Sequence, residues 1–184
     1  MKKYLPKLTP QLIATLAILM AVHFVLAKFR IMITPTLRIS FTFIANGLIG
    51  FFGGPFLTAI IFGVMDIINF VTNPQGTYIP LYTVAEIITG FFYGFFYYRK
   101  VLSTRSVKDW IYVSLVTTFM VGITTFGMTP LLFQIYFKTP YWAQMAAGRI
   151  FKIIEIPIHA LIFMLILPQV QRLPEVKKWL KEKV

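Results

Sequence analysis

The chain has 184 residues, of which 58% are hydrophobic and 13% charged, against about 25% charged in a typical soluble domain. It carries no cysteine and a net charge of +12, so an ordinary soluble protein, a disulfide framework, a cysteine metal site and thiol catalysis are all excluded. Once apolar spans of about 20 residues are marked, the length a bilayer core requires, too little polar sequence remains for a separate catalytic or ATPase domain. The basic residues punctuate the apolar runs, which reads as membrane topology and not as a nucleic-acid surface.

In chain order, Leu8 to Ala27 is uncharged between Lys7 and Lys28 and forms one span. Between Arg38 and Asp66 lie 27 uncharged residues, about 40 Å of helix at 1.5 Å per residue, interrupted by Gly53-Gly54-Pro55. Glycine and proline together kink a helix or turn the chain, and charge decides between the two. Treated as a turn, the triplet gives six spans with both termini cytoplasmic, twelve Lys and Arg in cytoplasmic loops and four outside. Treated as a kink, it reverses those numbers, against the tendency of basic loops to stay inside. The expectation is therefore an all-α integral membrane protein of six transmembrane helices, at about 8–27, 39–52, 55–72, 80–98, 109–126 and 141–167. A Gly-Gly-Pro hairpin joins the second and third, and a basic cytoplasmic tail spans 168–184. Lys2-Lys3, the apolar run and Val25-Leu26-Ala27 also have the layout of a cleavable signal peptide. Cleavage there would leave the orientation of the later spans unchanged.

Asp66, Glu86 and Glu155 fall at membrane depth, where each costs about 2.5 to 3.5 kcal/mol at a helix centre, so they are expected to face the bundle interior. Asp66, Asn69 and Asn73 share one stripe of their helix, as do Tyr82, Glu86, Thr89 and Tyr93 on the next. Arg149, Lys152, Glu155, Ile156 and His159 fit one face of the last helix, and Lys152 and Glu155 are spaced to pair. That pair leaves Arg149, Asp66 and Glu86 without partners, so a ligand site shared by the third, fourth and sixth helices is expected. Lys28, Arg30 and Arg38 crowd the outer side, where a cationic mouth favours an anionic ligand, and Phe41, Phe43, Tyr78 and Tyr82 offer faces to stack a flat ring. His23 and His159 are isolated, so no metal site is expected, and hydrolase and nucleotide-binding motifs are missing. Ala14, Ala17 and Ala21 form a small-residue face on the first helix, and Gly90 and Gly94 form another on the fourth.

Together these pieces resemble the substrate-binding S components of energy-coupling factor (ECF) vitamin transporters. The resemblance is carried by Ala17-x-x-x-Ala21, Leu37-Arg-Ile-Ser-Phe-Thr-Phe-Ile44, Gly50-x-x-Gly-Gly-Pro55, Asp66 and Gly90-x-x-x-Gly94, in that order and spacing. Arg-Ile-Ser-Phe-x-Phe-Ile and the polar turn after the third helix look most like the folate-specific members. The resemblance implies a binding subunit of the bacterial cell membrane, without cofactor or catalytic residues. Its small-residue face (Ala14, Ala17, Ala21) would dock on a transmembrane T subunit, to which two ATPases are attached. Folate asks for acceptors for its pterin (Asp66, Asn69, Glu86 or Glu155), aromatic walls (Phe41, Tyr78 or Tyr82) and basic groups for its tail (Arg30, Arg38, Lys138 or Arg149, with Lys152 on the same helix face). An S component for pantothenate or a queuosine precursor is the nearest alternative. A solitary ion-coupled carrier with a relay through Glu86, Glu155 and His159 is a further one.

Overall fold

The computed structural model describes residues 5–32, 38–72 and 77–181. Its helices are α1 Pro10–Lys28, α2 Thr42–Thr72, α3 Pro80–Tyr97, α4 Val107–Val121, α5 Thr129–Phe137, α6 Tyr141–Ala146, α7 Glu155–Arg172 and α8 Pro174–Lys181. Two three-residue strands, β1 Arg30–Met32 and β2 Arg38–Ser40, pair antiparallel between α1 and α2, with Arg30 opposite Ser40 and Met32 opposite Arg38. Among the described residues, four helical stretches, Pro10–Lys28, Thr42–Thr72, Val107–Phe137 and Arg149–Arg172, have the length and apolar character to cross a membrane.

α1 starts at Thr9, whose hydroxyl accepts the Leu12 N–H at 3.2 Å, with Pro10 at the first helical position, where a missing N–H costs nothing. It buries only Leu12 and Leu16. The second helix was expected from residue 39, but Ile39 and Ser40 belong to β2 and the helix begins at Thr42. Ser40 Oγ accepts the Thr42 N–H at 3.4 Å, so the strand ends by capping the helix that follows.

Gly54, at φ 68° and ψ 175°, breaks α2 into limbs 42–53 and 55–72. Residues nine apart in a straight helix are about 13.5 Å apart, yet the Thr58 hydroxyl donates to the Ile49 carbonyl at 3.2 Å. The chain therefore doubles back at Gly-Gly-Pro. α3 lies along both limbs. A methyl group on Gly50 would collide with the Tyr93 carbonyl, one on Gly94 with the Gly54 carbonyl, and one on Gly90 with Phe62 and the Thr58 carbonyl. The glycines at 50, 90 and 94 set this contact distance.

α4 was expected to end near Phe126. Instead a π-helical stretch, Gly122–Met128, carries it into α5. Pro130 has no N–H, so in an α or π pattern the carbonyls of Phe126 and Thr125 lose their helical donor. Other elements supply it: Tyr141 Oη donates to the Phe126 carbonyl at 2.9 Å and an Arg149 guanidinium nitrogen to the Thr125 carbonyl at 3.4 Å. The last expected span, 141–167, is interrupted at Gly148, at φ 114°, and a 3₁₀ stretch, Arg149–Ile154, leads into α7. The buried Gln144 holds the corner by donating to the carbonyls of Pro130 and Thr139 at 3.1 and 3.0 Å.

The expected basic tail is helical through Lys181, as the end of α7 and as α8. The Trp179 ring rests on Phe51 and Phe52 beside the Gly-Gly-Pro bend. The Arg99 guanidinium lies 4.6 Å over that ring and donates to the carbonyls of Trp179 and Leu180 at 2.7 and 2.9 Å. A cation at the carbonyl end of a helix offsets both its unpaired acceptors and its dipole. The buried Gln171 clasps the α3–α4 loop, accepting the Leu102 N–H and donating to the Lys100 carbonyl.

Candidate functional site

A cavity of about 210 Å³ lies between the first limb of α2, α3, α4 with its π-helical extension, and α7. The helix rise orders its lining into layers. Glu86, Lys152, Glu155 and Thr125 lie with Ser40 and Thr42 toward the ribbon end. Phe43, Asn46, Thr89 and His159 follow, and Tyr93, Tyr97, Thr117 and Phe163 lie toward the α8 end. From Thr125 to Thr117 the backbone descends about 12 Å at 1.5 Å per residue. The cavity is thus a narrow shaft, charged at one end and lined by rings and hydroxyls at the other.

Its walls are held from outside. His23 Nδ1 lies 2.7 Å from the Asn46 side-chain oxygen; an amide oxygen only accepts, so the imidazole donates, tying α1 to the cavity wall on α2. The Phe43 and His159 rings stack at 3.7 Å, and Tyr97 stacks on Phe163 at 4.9 Å. Gly47 leaves room for the Phe163 ring. Lys152 and Glu155 pair at 3.6 Å across one turn. Glu86 lines the shaft and forms no hydrogen bond or ion pair with another described residue.

The structure gathers Glu86, Lys152 and Glu155 around one cavity and places the other expected ligand residues elsewhere. Asp66 accepts the Thr83 hydroxyl at 2.6 Å, and the Tyr78 phenol lies 2.6 Å from the same hydroxyl, a chain that ties the second limb of α2 to the start of α3. Asn69 is exposed on that limb, and Phe41 packs against the core outside the cavity lining. Tyr82 and Arg149 meet on the Phe133 ring, the first edge-on and the second as a cation over the face. Through its bond to Thr125, Arg149 stands one residue behind the wall. Arg30 and Arg38 sit at opposite ends of the ribbon register, whereas Asn73 lies outside the described residues. Lys138, at φ 53°, ends α5 and is exposed. The sequence did not single out Asn46, Tyr97 or Thr117 as site residues. Tyr97 continues the stripe of Glu86, Thr89 and Tyr93 by one further turn, and that spacing was the available signal.

A second, larger groove of about 770 Å³ lies at the α8 end between α1 and α8. Ala14 lines it with Leu12, Ile18, Phe52, Val176 and Trp179. Ala17 and Ala21 are exposed farther along α1.

The model of the family described as ECF transporter, substrate-specific component, matches residues 11–167. The chain belongs to that family. It is accordingly a multi-pass membrane protein of bacteria and the substrate-binding part of a transporter, not an enzyme. Over 174 residues the chain is 47% identical to the folate transporter FolT of Streptococcus mutans, covering 94% of each chain. It is 27% identical over 157 residues to the folate transporter FolT of Clostridium novyi, covering 80% of this S component and 82% of that protein. Among solved structures it resembles the crystal structure of FolT bound with folic acid, with a TM-score of 0.71 and 30% identity, covering 84% of this chain and 90% of that one.

Proposed function

We propose that this S component binds folate at the outer face of the bacterial membrane and delivers it inward for ATP-driven uptake by partner subunits. The observation that carries the reading is the 47% identity to a folate transporter across nearly the whole of both chains. The cavity is chemically suited to the ligand. It is smaller than the roughly 300–1,000 Å³ of pockets that hold a whole drug-sized molecule, so it takes one end of an elongated ligand. Folate has such an end, a flat pterin with ring donors, which ring walls and the carboxylates of Glu86 and Glu155 match.

The membrane arrangement we propose has six spans: α1, the two limbs of α2, α3, the continuous stretch from α4 through α5, and α7 with its 3₁₀ entry. The doubling-back at Gly54 supports counting α2 twice. Lys7, Lys100, Arg105, Lys108, Arg172, Lys177, Lys178 and Lys181 gather at the α8 end, which supports a cytoplasmic placement of that end. The ribbon end, with Arg30, Arg38 and the charged part of the cavity, then faces outward, where the basic groups of the mouth meet the glutamate tail. In this reading the exposed Ala14, Ala17 and Ala21 face of α1 docks on the T subunit, and ATP hydrolysis occurs in two attached ATPases.

Calorimetric titration of the purified protein tests the reading. One folate bound per chain, with no heat from pantothenate, is the expected outcome; pantothenate binding in preference to folate would overturn it. In proteoliposomes, folate uptake driven by a proton gradient without ATPase partners would point instead to a solitary carrier.

A further inference from the structure

The groove between α1 and α8 shares no lining residue with the ligand cavity. At about 770 Å³, it falls within the size range of pockets that hold one discrete molecule. Along α1 its lining runs from Gln11 to Leu19, about 12 Å at 1.5 Å per residue, and Leu12, Ile18, Leu19, Leu48 and Phe52 make that stretch apolar. The hydroxyls there are already engaged: Thr9 accepts the Leu12 N–H at 3.2 Å, and Thr15 donates to the Gln11 carbonyl at 2.8 Å. A wall whose hydroxyls are bonded to its own backbone suits a hydrocarbon chain. The α8 end of the groove is basic, since Lys7, Arg99 and Lys178 line it against the single acid Glu175. Lys7 and Lys178 are exposed and form no ion pair with another described residue. The Thr9 N–H donates to the Lys7 carbonyl at 2.9 Å, which sets Lys7 beside the first turn of α1, where the positive end of the helix dipole adds to the charge.

We infer that this groove seats one phospholipid with an anionic headgroup, its phosphate received by Lys7 and Lys178 and an acyl chain lying along α1 from Leu12 to Leu19. The inference is independent of the folate reading. It rests on the membrane arrangement proposed above, which sets this end of the bundle at the cytoplasmic leaflet, where juxtamembrane lysines attract anionic lipid. Charge selects the occupant. Three cations against one carboxylate leave the lining with a positive excess, which an anionic headgroup offsets and a zwitterionic one, bringing its own cation, offsets less well. A helix of a partner protein would fit the apolar wall equally well, but it gives no account of two lysines without ion pairs at the end of that wall. Lipids around a convex helix exchange with little preference, whereas a concave groove flanked by cations holds both parts of one molecule at once. Lysine suits this task because its long apolar stem lies along the wall while the ammonium reaches the headgroup level.

The test titrates the purified protein in detergent with phosphatidylglycerol and with phosphatidylcholine of the same chains, and reads bound lipid by native mass spectrometry. Wild type should retain one phosphatidylglycerol per chain, preferred over phosphatidylcholine by roughly ten- to thirtyfold. Lys7→Gln with Lys178→Gln should abolish the preference. Arg105→Gln with Lys108→Gln removes the same charge from exposed positions at the same end but outside the groove, and should keep it. Ile18→Trp, on an exposed position of the wall, should displace both lipids, and thermal melting reports folding of every variant. Equal retention of the two lipids by wild type, or a preference that survives the Lys7 and Lys178 changes, would overturn the inference. So would an Ile18→Trp protein that melts and binds lipid as wild type does, or displacement of phosphatidylglycerol by inorganic phosphate, which would make the groove a phosphate site. No retention of either lipid would leave the groove to a protein segment and overturn it equally. Folate titration of the same variants reads the proposed function separately, and each should bind folate as wild type does. The leaflet is read on Lys181→Cys, the single thiol in a chain without cysteine, by labelling intact cells with a membrane-impermeant maleimide. Protection supports the cytoplasmic placement; labelling from outside would overturn it and the inference with it.

Discussion

Three acids stand within the apolar helices, Asp66 in α2, Glu86 in α3 and Glu155 at the start of α7, and their surroundings divide them between two tasks. Asp66 is already engaged: Thr83 donates to it and the Tyr78 phenol completes the chain. Glu86 lines the cavity with no described partner, and Glu155 is 7% exposed and offset by Lys152. Of the three, Glu86 is the acceptor best placed for ligand. Glu86→Gln keeps the shape but replaces an acceptor oxygen with a donor. Losing a hydrogen bond to a charged group costs about 1.5–3 kcal/mol, or roughly ten- to a hundredfold in affinity, and folate titration should show a loss in that range with little change in melting temperature. Asp66→Asn should give the opposite pair of results, a lower melting temperature with folate affinity close to wild type. If Asp66→Asn weakens folate as much as Glu86→Gln does, the clasp at Thr83 is itself part of ligand recognition.

Between elements, the closest approach is made by backbone. Gly94→Ala would drive a methyl group into the Gly54 carbonyl at the doubling-back of α2, and neither partner is a side chain that can swing away. Overpacking of this kind costs about 1–3 kcal/mol, so the melting temperature should fall. Gly122→Ala, where nothing lies within 4 Å of the added carbon, should leave it unchanged or raise it. These contacts were legible in the sequence because they depend on local chemistry: Gly-Gly-Pro cannot continue a helix, and Gly90 and Gly94 lie on one face. The π-helical extension was not, since its spare carbonyls are satisfied by Tyr141 and Arg149 from later elements. Nor was the ribbon, whose three-residue strands exist only through pairing with each other. The docking of α8 depends on Arg99, about 80 residues earlier in the chain. In the cavity, Glu86, Lys152 and Glu155 stood out because a charge in an apolar run is costly and demands a reason. Asn46, Tyr97 and Thr117 did not, because a neutral polar group in a helix costs little and so gives no comparable signal.

For the whole molecule, the two ends of the bundle divide the work. The cavity belongs to the ribbon end, where the first limb of α2, α3, α4 and α7 pack around it, and α1 touches it only indirectly, through His23 and Asn46. α1 packs one side on the core through Leu12, Leu16, Leu19, Met20 and Phe24, and Ala14, Ala17 and Ala21 are exposed. Small residues on an exposed helix face permit close approach of another helix where dispersion and packing, not hydrophobic exclusion of water, drive association. Ala17→Trp and Ala21→Trp should therefore abolish folate uptake in cells that supply the T subunit and ATPases, because an indole holds the two helices apart, while calorimetry on the isolated subunit returns wild-type folate affinity. Tryptophan tolerates a lipid-facing position, so the melting temperature should also be preserved. Should binding fall in step with uptake, the alanine face would be packing that supports the cavity through His23, and the partner surface would have to be sought at the groove between α1 and α8.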